Sequence, residues 1–460
     1  MVSKIFSSVK KIHFVGIGGI GMSGIAEILL NQGFIISGSD ISRSENTDYL
    51  ESLGSEIYIG HSEDNIKDAE VVVYSSAVDP TNNPETLAAL KLNIPLLRRA
   101  EMLAEVSRLN YCLAISGTHG KTTTTSLCGL TMLKAGLDPT VIVGGRLRGF
   151  GGTNARLGKG DWTVVEADEF DRSFLQLLPT IAVVNNIEPE HLDIYKDFDD
   201  LKNTFVEFAN KVPFYGSVAV CLDDDGVKSI LGNIKKKVIT YGLSRHANVR
   251  AENIKFDNIR SEFKTFYEGQ ELGFVRLNIP GVHNIRNSLA AIAIGLELKI
   301  PFEEISEALS EFTGVNRRFE IKGNKNGIMV VDDYAHHPTE VQATIAAAIN
   351  GWNKRIISVF QPHTYTRTRD FYKDFGKSFD DSDILIVTDV YPAREKPIEG
   401  INGKLIANAA ISYGHKNVIY TETLDEAYKY LKEILKDGDL ILTLGAGDIW
   451  KLANRLAEEI

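Results

Sequence analysis

Three times along the 460-residue chain an apolar run of strand length leads into a glycine-bearing turn and then a helix-forming stretch. That alternation is the signature of βαβ units, in which a parallel sheet is buried between helices on both faces. The first unit opens at 12–15, passes through Gly16-Ile-Gly18-Gly19-Ile-Gly21 and continues as a helical pattern to Leu30; strand-like runs follow at 34–37 and 71–74, then a helix over 100–108. The pair Lys10-Lys11 gives this start the outline of a signal peptide, but its glycines and Glu27 fit a strand, turn and helix better. The second unit starts with a strand over 111–116 and a long helix to about Ala135, with further strands at 162–166, 181–185, 217–222 and 237–241. Residues 247–279 alternate polar and apolar and are expected to form a small antiparallel patch, followed by helices near 284–299 and 302–312. Residues 313–317 read as a linker, and strands near 328–332, 355–360, 384–389, 417–420 and 439–444 make a third unit.

The expected architecture is therefore three α/β domains over 1–109, 110–314 and 315–460. The two outer ones are Rossmann-like; the central one has a P-loop and a mostly parallel sheet with the antiparallel patch. Hydrophobic residues at 43% and charged residues at 24% fit a soluble globular chain and exclude a disordered or membrane-inserted one. The net charge of −11 and the absence of any basic block argue against nucleic acid as a partner. Cys112, Cys128 and Cys221 are too few and scattered for a disulfide framework. Cys112 and Cys128 sit in apolar stretches and are expected to be buried thiols, and a cytoplasmic location is expected.

The loop Gly16-x-Gly18-x-x-Gly21 lies between a strand and a helix, where glycines let the backbone approach a diphosphate. Asp40 follows after roughly twenty residues, where a carboxylate meets a ribose hydroxyl. A dinucleotide and a UDP-sugar both suit this loop, and a purely structural turn would use the same glycines. Gly117-Thr118-His119-Gly120-Lys121-Thr122-Thr123 has Ile115 where the complete P-loop pattern wants another glycine. What remains can still cradle phosphates on backbone N–H groups, reach the terminal phosphoryl with Lys121 and offer the Thr122 hydroxyl to Mg²⁺. Glu166, Asp168 and Glu169 follow strand 162–166, where a second metal contact belongs, although such acids also occur in solvated loops.

His191 follows another strand and by itself is as readily structural as metal-binding. Asn284 stands at a helix start, where capping is its bland role, with Asn287 one turn on. Asp332-Asp333-Tyr334-Ala-His336-His337-Pro338 follows a strand and must be a loop because of Pro338; its two Asp and two His could form a metal site, but the spacing is not that of a helical ligand pair. Gln361-Pro-His363-Thr-Tyr-Thr-Arg367 also follows a strand, on the side of an α/β sheet where ligands bind.

Taken in order, these segments, together with Glu188-Pro-Glu-His191, His283-Asn-x-x-Asn287 and Arg317-Arg318-Phe319, resemble the Mur ligase family over essentially the whole chain. Within that family the pattern is similar to the alanine-adding branch. The resemblance implies ATP-dependent ligation of L-alanine to UDP-N-acetylmuramate in peptidoglycan synthesis, through an acyl phosphate, with Mg²⁺ as cofactor and a monomer or homodimer as the assembly. It implies that Lys121 contacts the ATP phosphates, that Thr122, Glu166 and His191 lie at the metal, and that Asn284, Asn287 and Arg318 serve the nucleotide. Asp333 and His336 would lie near the incoming amine, His363 in the same pocket, and Arg367 on the amino-acid carboxylate. Gly16, Gly18, Gly19 and Gly21, with Asp40, Ser75 and Ser76, would hold the UDP-sugar.

Two departures bear on the branch. Thr364 stands where many relatives carry arginine, which puts one carboxylate contact in doubt. Val206 occupies the place, fifteen residues after His191, where ligases for later amino acids carry a carbamylated lysine. A ligase recycling a tripeptide onto the same UDP-sugar shares nearly every motif. A nicotinamide-dependent oxidoreductase would use Gly16–Gly21 but leave Lys121 and Glu166 without work, and a nucleotide-binding switch would leave the two late loops unexplained.

Overall fold

The computed structural model describes residues 9–108, 110–144, 154–190, 194–393 and 395–459. The first sheet consists of β1 (Lys11–Val15), β2 (Ile35–Asp40), β3 (Glu56–Ile59), β4 (Val71–Tyr74) and β5 (Leu96–Arg98), in the order β3-β2-β1-β4-β5 with every pairing parallel. The order reverses between β1 and β4, which opens a crevice at their carboxyl ends. Gly16 and Ser75 stand there side by side: a Cβ on Gly16 would lie 3.0 Å from that of Ser75.

The central strands are β6 (Tyr111–Ser116), β7 (Thr140–Ile142), β8 (Ala155–Arg156), β9 (Trp162–Glu166), β10 (Ile181–Val184), β11 (Ser217–Cys221) and β12 (Lys237–Gly242). The run β12-β11-β10-β6-β9-β7 is parallel throughout, and β8 closes its far edge antiparallel. The expected patch is present as β13 (Val249–Asp257), β14 (Arg260–Tyr267) and β15 (Gln270–Leu277). Two-residue turns join them, with Asn258, Glu268 and Gly269 at positive φ, so successive strands fold back antiparallel.

The third sheet runs β16-β17-β21-β18-β19-β20, built from β16 (Glu320–Lys325), β17 (Ile328–Asp333), β18 (Arg355–Phe360), β19 (Ile384–Val387), β20 (Val418–Tyr420) and β21 (Asp439–Leu444). All its pairings are parallel except the bulged hairpin of β16 with β17. Strands β3, β5, β7, β8 and β16 have no counterpart in the sequence pattern. Most are two to four residues long, and several lie at sheet edges. A strand of that kind is defined by the partner it joins more than by its own alternation.

The chain packs as two compact units: 1–252 with 265–273 and 286–309, and 253–264 with 274–285 and 310–460. In the first, the cores of the first and central sheets are continuous. The helix Ile20–Asn31 buries Met22, Ile25, Ile28 and Leu29, and Gly24 lets it approach so closely that a Cβ would lie 3.2 Å from that of Ala155. Asn154 then fastens the helix by donating to Ser23 Oγ at 3.1 Å. In the second unit the stretch read as a linker is built in. Val315 is buried, and the Arg317 guanidinium spans Asp332 Oδ2 at 2.9 Å and the Gly445 carbonyl at 2.7 Å. The three cysteines are buried free thiols, and burial pushes Cys112 and Cys128 up to about 12 and Cys221 to about 11. No helix among the described residues is long and apolar enough to cross a membrane.

Candidate active site

β6 is apolar from Cys112 to Ile115, so it is buried, and it ends at Ser116. The turn that follows needs glycine twice. Gly117 has φ +134°, with the Asn185 and Asn186 backbone nitrogens 3.1 Å from where a Cβ would be; Gly120 has φ +78°, with Asn287 Oδ1 2.6 Å from its Cβ position. Two asparagines at the end of β10 brace the loop. Asn186 Oδ1 accepts the His119 N–H at 2.7 Å, and the Asn185 amide donates to Thr124 Oγ1 at 3.0 Å while accepting from Tyr241. Thr118 Oγ1 accepts the Glu188 N–H at 2.9 Å. The helix Lys121–Lys134 begins at Gly120 with no side-chain cap, so its N-terminus is left for an anion.

Lys121 folds back over this loop. Its ammonium donates to the Gly117 carbonyl at 2.8 Å and to Glu169 Oε2 at 2.7 Å, with Asp168 at 3.7 Å. Burial alone would lower its pKa, but the carboxylates of Glu169 and Asp168 outweigh that and raise it, so the lysine is charged. Burial pushes the Glu169 carboxyl up to about 7, against the pull of Lys121. Glu166 is also raised by burial; it accepts the Gly144 N–H at 2.8 Å and is hydrogen-bonded by the Thr122 side chain. A hydroxyl beside a desolvated carboxylate is an oxygen donor set that suits Mg²⁺. His191 lies outside the described residues.

At the first sheet, the Ser39 carbonyl accepts both Gly16 N–H and Ile17 N–H, at 2.8 and 3.0 Å. Asp40 Oδ2 accepts Gly18 N–H at 2.9 Å and its Oδ1 takes Ile41 N–H, so this acid fastens the loop it was expected to complement. A Cβ on Gly18 would lie 2.9 Å from that carboxylate and one on Gly21 2.9 Å from Arg99 Nη1, whereas Gly19 has room around it. The helix Ile20–Asn31 starts without a side-chain cap at Gly19. Ser75 is half-buried against Gly16, and Ser76 is exposed.

In the second unit, Asp333 is buried at the end of β17. Its carboxylate accepts Phe319 N–H at 2.7 Å and Ala335 N–H at 2.8 Å, and burial pushes it up to about 6. Arg317 and Arg318 both lie over the Tyr334 ring, and Arg318 Nη1 reaches Glu340 Oε1 at 3.4 Å. His336 Nδ1 faces the Tyr334 carbonyl at 3.0 Å and Glu340 Oε2 at 3.2 Å. The His363 ring lies edge-on to His336 at 5.9 Å and stacks on Tyr391 at 5.8 Å. Burial, with His336, Arg367 and Arg317 nearby, lowers His363 to about 3, so it is neutral and its Nδ1 accepts from Arg367 at 3.4 Å. Asn284 donates to the Pro280 carbonyl at 2.7 Å, a bond back to the residues ahead of the helix and not a cap, since a capping side chain accepts an N–H.

Each unit thus gathers its own share of the expected residues: Gly117–Thr123 with Glu166 and Asn287 in the first, Arg318, Asp333, His336, His363 and Arg367 in the second. Sequence reasoning offered Glu169 only as a metal contact and left Asn185, Asn186, Tyr334, Glu340 and Tyr391 without roles. The signal for the first three was their position directly after strands that neighbour the P-loop strand. Tyr391 carries no local signal, because its register beside His363 is set by a single bridge.

Comparison with known proteins agrees with this layout. Three domain descriptions match in series: "Mur ligase family, catalytic domain" over residues 11–111, "Mur ligase middle domain" over 115–295 and "Mur ligase, glutamate ligase domain" over 317–447. A UDP-N-acetylmuramate–L-alanine ligase of Geotalea uraniireducens (strain Rf4) is 51% identical over 456 residues, covering 99% of each chain. One from Sulfurihydrogenibium sp. (strain YO3AOP1) is 53% identical over 451 residues, 98% of each. The crystal structure of the UDP-N-acetylmuramate-alanine ligase from Thermotoga maritima superposes with a TM-score of 0.83 at 30% identity, covering 97% of this chain and 98% of that one. Three consecutive domain matches and half-identical relatives of full length make this chain a member of the Mur ligase family.

Proposed function

We propose that the protein is an ATP-dependent ligase that joins L-alanine to the lactyl carboxylate of UDP-N-acetylmuramate, an early step in peptidoglycan synthesis carried out in the cytoplasm. The observation that carries this reading is the identity of 51% over 99% of the chain with a relative of that name. On this reading residues 1–109 hold the UDP-sugar, 110–314 hold ATP, and 315–460 hold the amino acid.

A carboxylate is a poor acylating agent, so its oxygen first attacks the γ-phosphorus of ATP and ADP departs. The alanine nitrogen then adds to the acyl carbon, the tetrahedral intermediate expels phosphate, and one proton leaves the amine. Positioning and charge neutralisation supply most of the acceleration in such phosphoryl chemistry. Lys121 has to exchange Glu169 for the phosphates of ATP, with the N–H groups of Gly117–Thr123 around them and Asn287 fixing Gly120. Thr122 and Glu166, with His191, would hold Mg²⁺, which when bound draws charge from the β- and γ-phosphates. Asn284 and Arg318 serve the nucleotide.

For the amine's proton, His336 is better placed than Asp333. Both Asp333 oxygens already take backbone N–H groups. His336 turns Nδ1 to the Tyr334 carbonyl, so its neutral tautomer carries hydrogen there and leaves the Nε2 lone pair open. Asp333 holds the loop, His363 contributes a neutral wall, and Arg367 pairs with the alanine carboxylate.

The test is phosphate release from Mg²⁺-ATP with UDP-N-acetylmuramate, scanning L-alanine, glycine, L-serine and the recycling tripeptide. Highest turnover with L-alanine is expected. Turnover with the tripeptide alone would reassign the protein to recycling, and silence with all four would sink the ligase reading.

A further inference from the structure

One strongly buried charge lies outside the groups considered so far. Glu85 has 0% of its surface exposed, at the second position of the helix Pro84–Lys91, whose first turn is capped by Asn83 Oδ1. Its carboxylate is fully engaged. Oε2 accepts from Ser39 Oγ at 2.5 Å and faces His61 Nδ1 at 3.2 Å and His13 Nε2 at 3.8 Å; Oε1 accepts from Asn65 Nδ2 at 2.6 Å and Ser62 N–H at 3.4 Å. Burial works against the charge, but His13, Ser39 and Asn65 overcome it and hold the carboxyl below its usual range. An ion so placed stabilises a fold poorly compared with an apolar residue of the same volume. Its position has to be explained by what it holds.

Glu85 and its partners come from four crossings of the sheet, with His13 on β1. Ser39 is near the end of β2, His61 and Ser62 follow β3, and Glu85 itself follows the β4 loop that carries Ser75 and Ser76. Apart from His13, which lies in the middle of β1, these groups are at carboxyl ends, on the rim where the glycine loop turns. The residue gripped through its hydroxyl is also the one whose carbonyl accepts Gly16 N–H and Ile17 N–H, and its neighbour Asp40 accepts Gly18 N–H. The side-chain bond from Glu85 therefore sets the height of the backbone on which Gly16–Gly18 rests.

We infer that Glu85 is a positioning residue for the UDP-sugar: one carboxylate clamps the ends of β2, β3 and β4 together and so fixes the curvature of the diphosphate loop. This rests on the ligase reading above. The test is steady-state kinetics of Glu85→Ala, Glu85→Gln and the milder Ser39→Ala, with each substrate varied in turn. KM for UDP-N-acetylmuramate is expected to rise about ten-fold in Glu85→Ala and about three-fold in Ser39→Ala, while kcat and KM for ATP stay within about two-fold. Glu85→Gln, whose NH₂ can donate to the Ser39 hydroxyl while its oxygen takes Asn65 and Ser62, should raise KM for the UDP-sugar less than Glu85→Ala. An unchanged KM for the UDP-sugar in folded Ser39→Ala, or parallel losses in kcat and both KM values, would overturn the inference. Ser39→Ala alone decides the matter if Glu85→Ala does not fold. Should the wild type show no turnover, the ligase reading falls by itself, and calorimetric titration of UDP against wild type and Ser39→Ala still decides the clamp, with weaker binding in the variant expected and equal affinity overturning it.

Discussion

At the scale of single residues, charge placement decides most of the behaviour. Lys121 both touches the phosphate loop's carbonyls and carries a positive charge, so Lys121→Ala should lower kcat/KM about 10³-fold, read by phosphate release. The expected cost in folding is small by comparison, because Glu169, already raised to about 7, can take up a proton when its partner is lost. Asp333 offers a pH test. Its carboxyl is raised to about 6 in the folded chain against about 3.9 unfolded, so the native state holds the proton more tightly. The stability this confers is complete below about pH 4 and lost as the pH rises through about 6. The unfolding free energy of the wild type relative to Asp333→Asn should therefore fall by roughly 2–3 kcal/mol from about pH 4 to about pH 6.5. A flat difference in urea unfolding across that range would contradict the assignment.

At the scale of elements, the turns ahead of helices carry the strain. Gly120→Ala would force φ +78° on a residue with a Cβ and press it to 2.6 Å from Asn287 Oδ1. It should cost about 1–3 kcal/mol in denaturant unfolding and raise KM for ATP. Thr364 shows the reverse case. A β-branched residue at φ +66° and ψ 145° starts the helix Tyr365–Lys377, its N–H held by the Tyr391 carbonyl at 2.9 Å. Thr364→Gly should stabilise the protein by about 1 kcal/mol, since relieved strain exceeds the added freedom of the unfolded chain. No change or a loss in the unfolding midpoint would show that the side chain compensates. These turns also mark how far the sequence was legible. Glycines at fixed offsets after apolar strands announce both glycine loops, because Gly16, Gly117 and Gly120 stand at positive φ and Gly18 and Gly21 leave no room for a Cβ. The strain at Thr364 leaves no such mark. Asp40 and Asp333 stand beside the loops with which the sequence associates them, yet composition could not tell a carboxylate that faces a ligand from one that ties down its own backbone. That distinction depends on hydrogen bonds formed between segments distant in the chain.

At the scale of the whole molecule, the first sheet and the central sheet do not have separate interiors. Met22 and Ile25 belong to the same buried cluster as Ile142 and Ala155, and a Cβ on Gly24 would lie 3.2 Å from that of Ala155. Amide exchange should accordingly give β1 and β6 the same opening free energy, whereas protection lost from β1 first would show two interiors. A fragment ending at residue 109 should aggregate, because it bares the face of the helix Ile20–Asn31 that lies against β8. The shared interior has a bearing on how such proteins can be recombined. A chimera joined between residues 108 and 110 would have to match two halves of one jigsaw. Modules should therefore be exchanged as a block that keeps both glycine loops together, and inherited variation in the two should be found travelling in company.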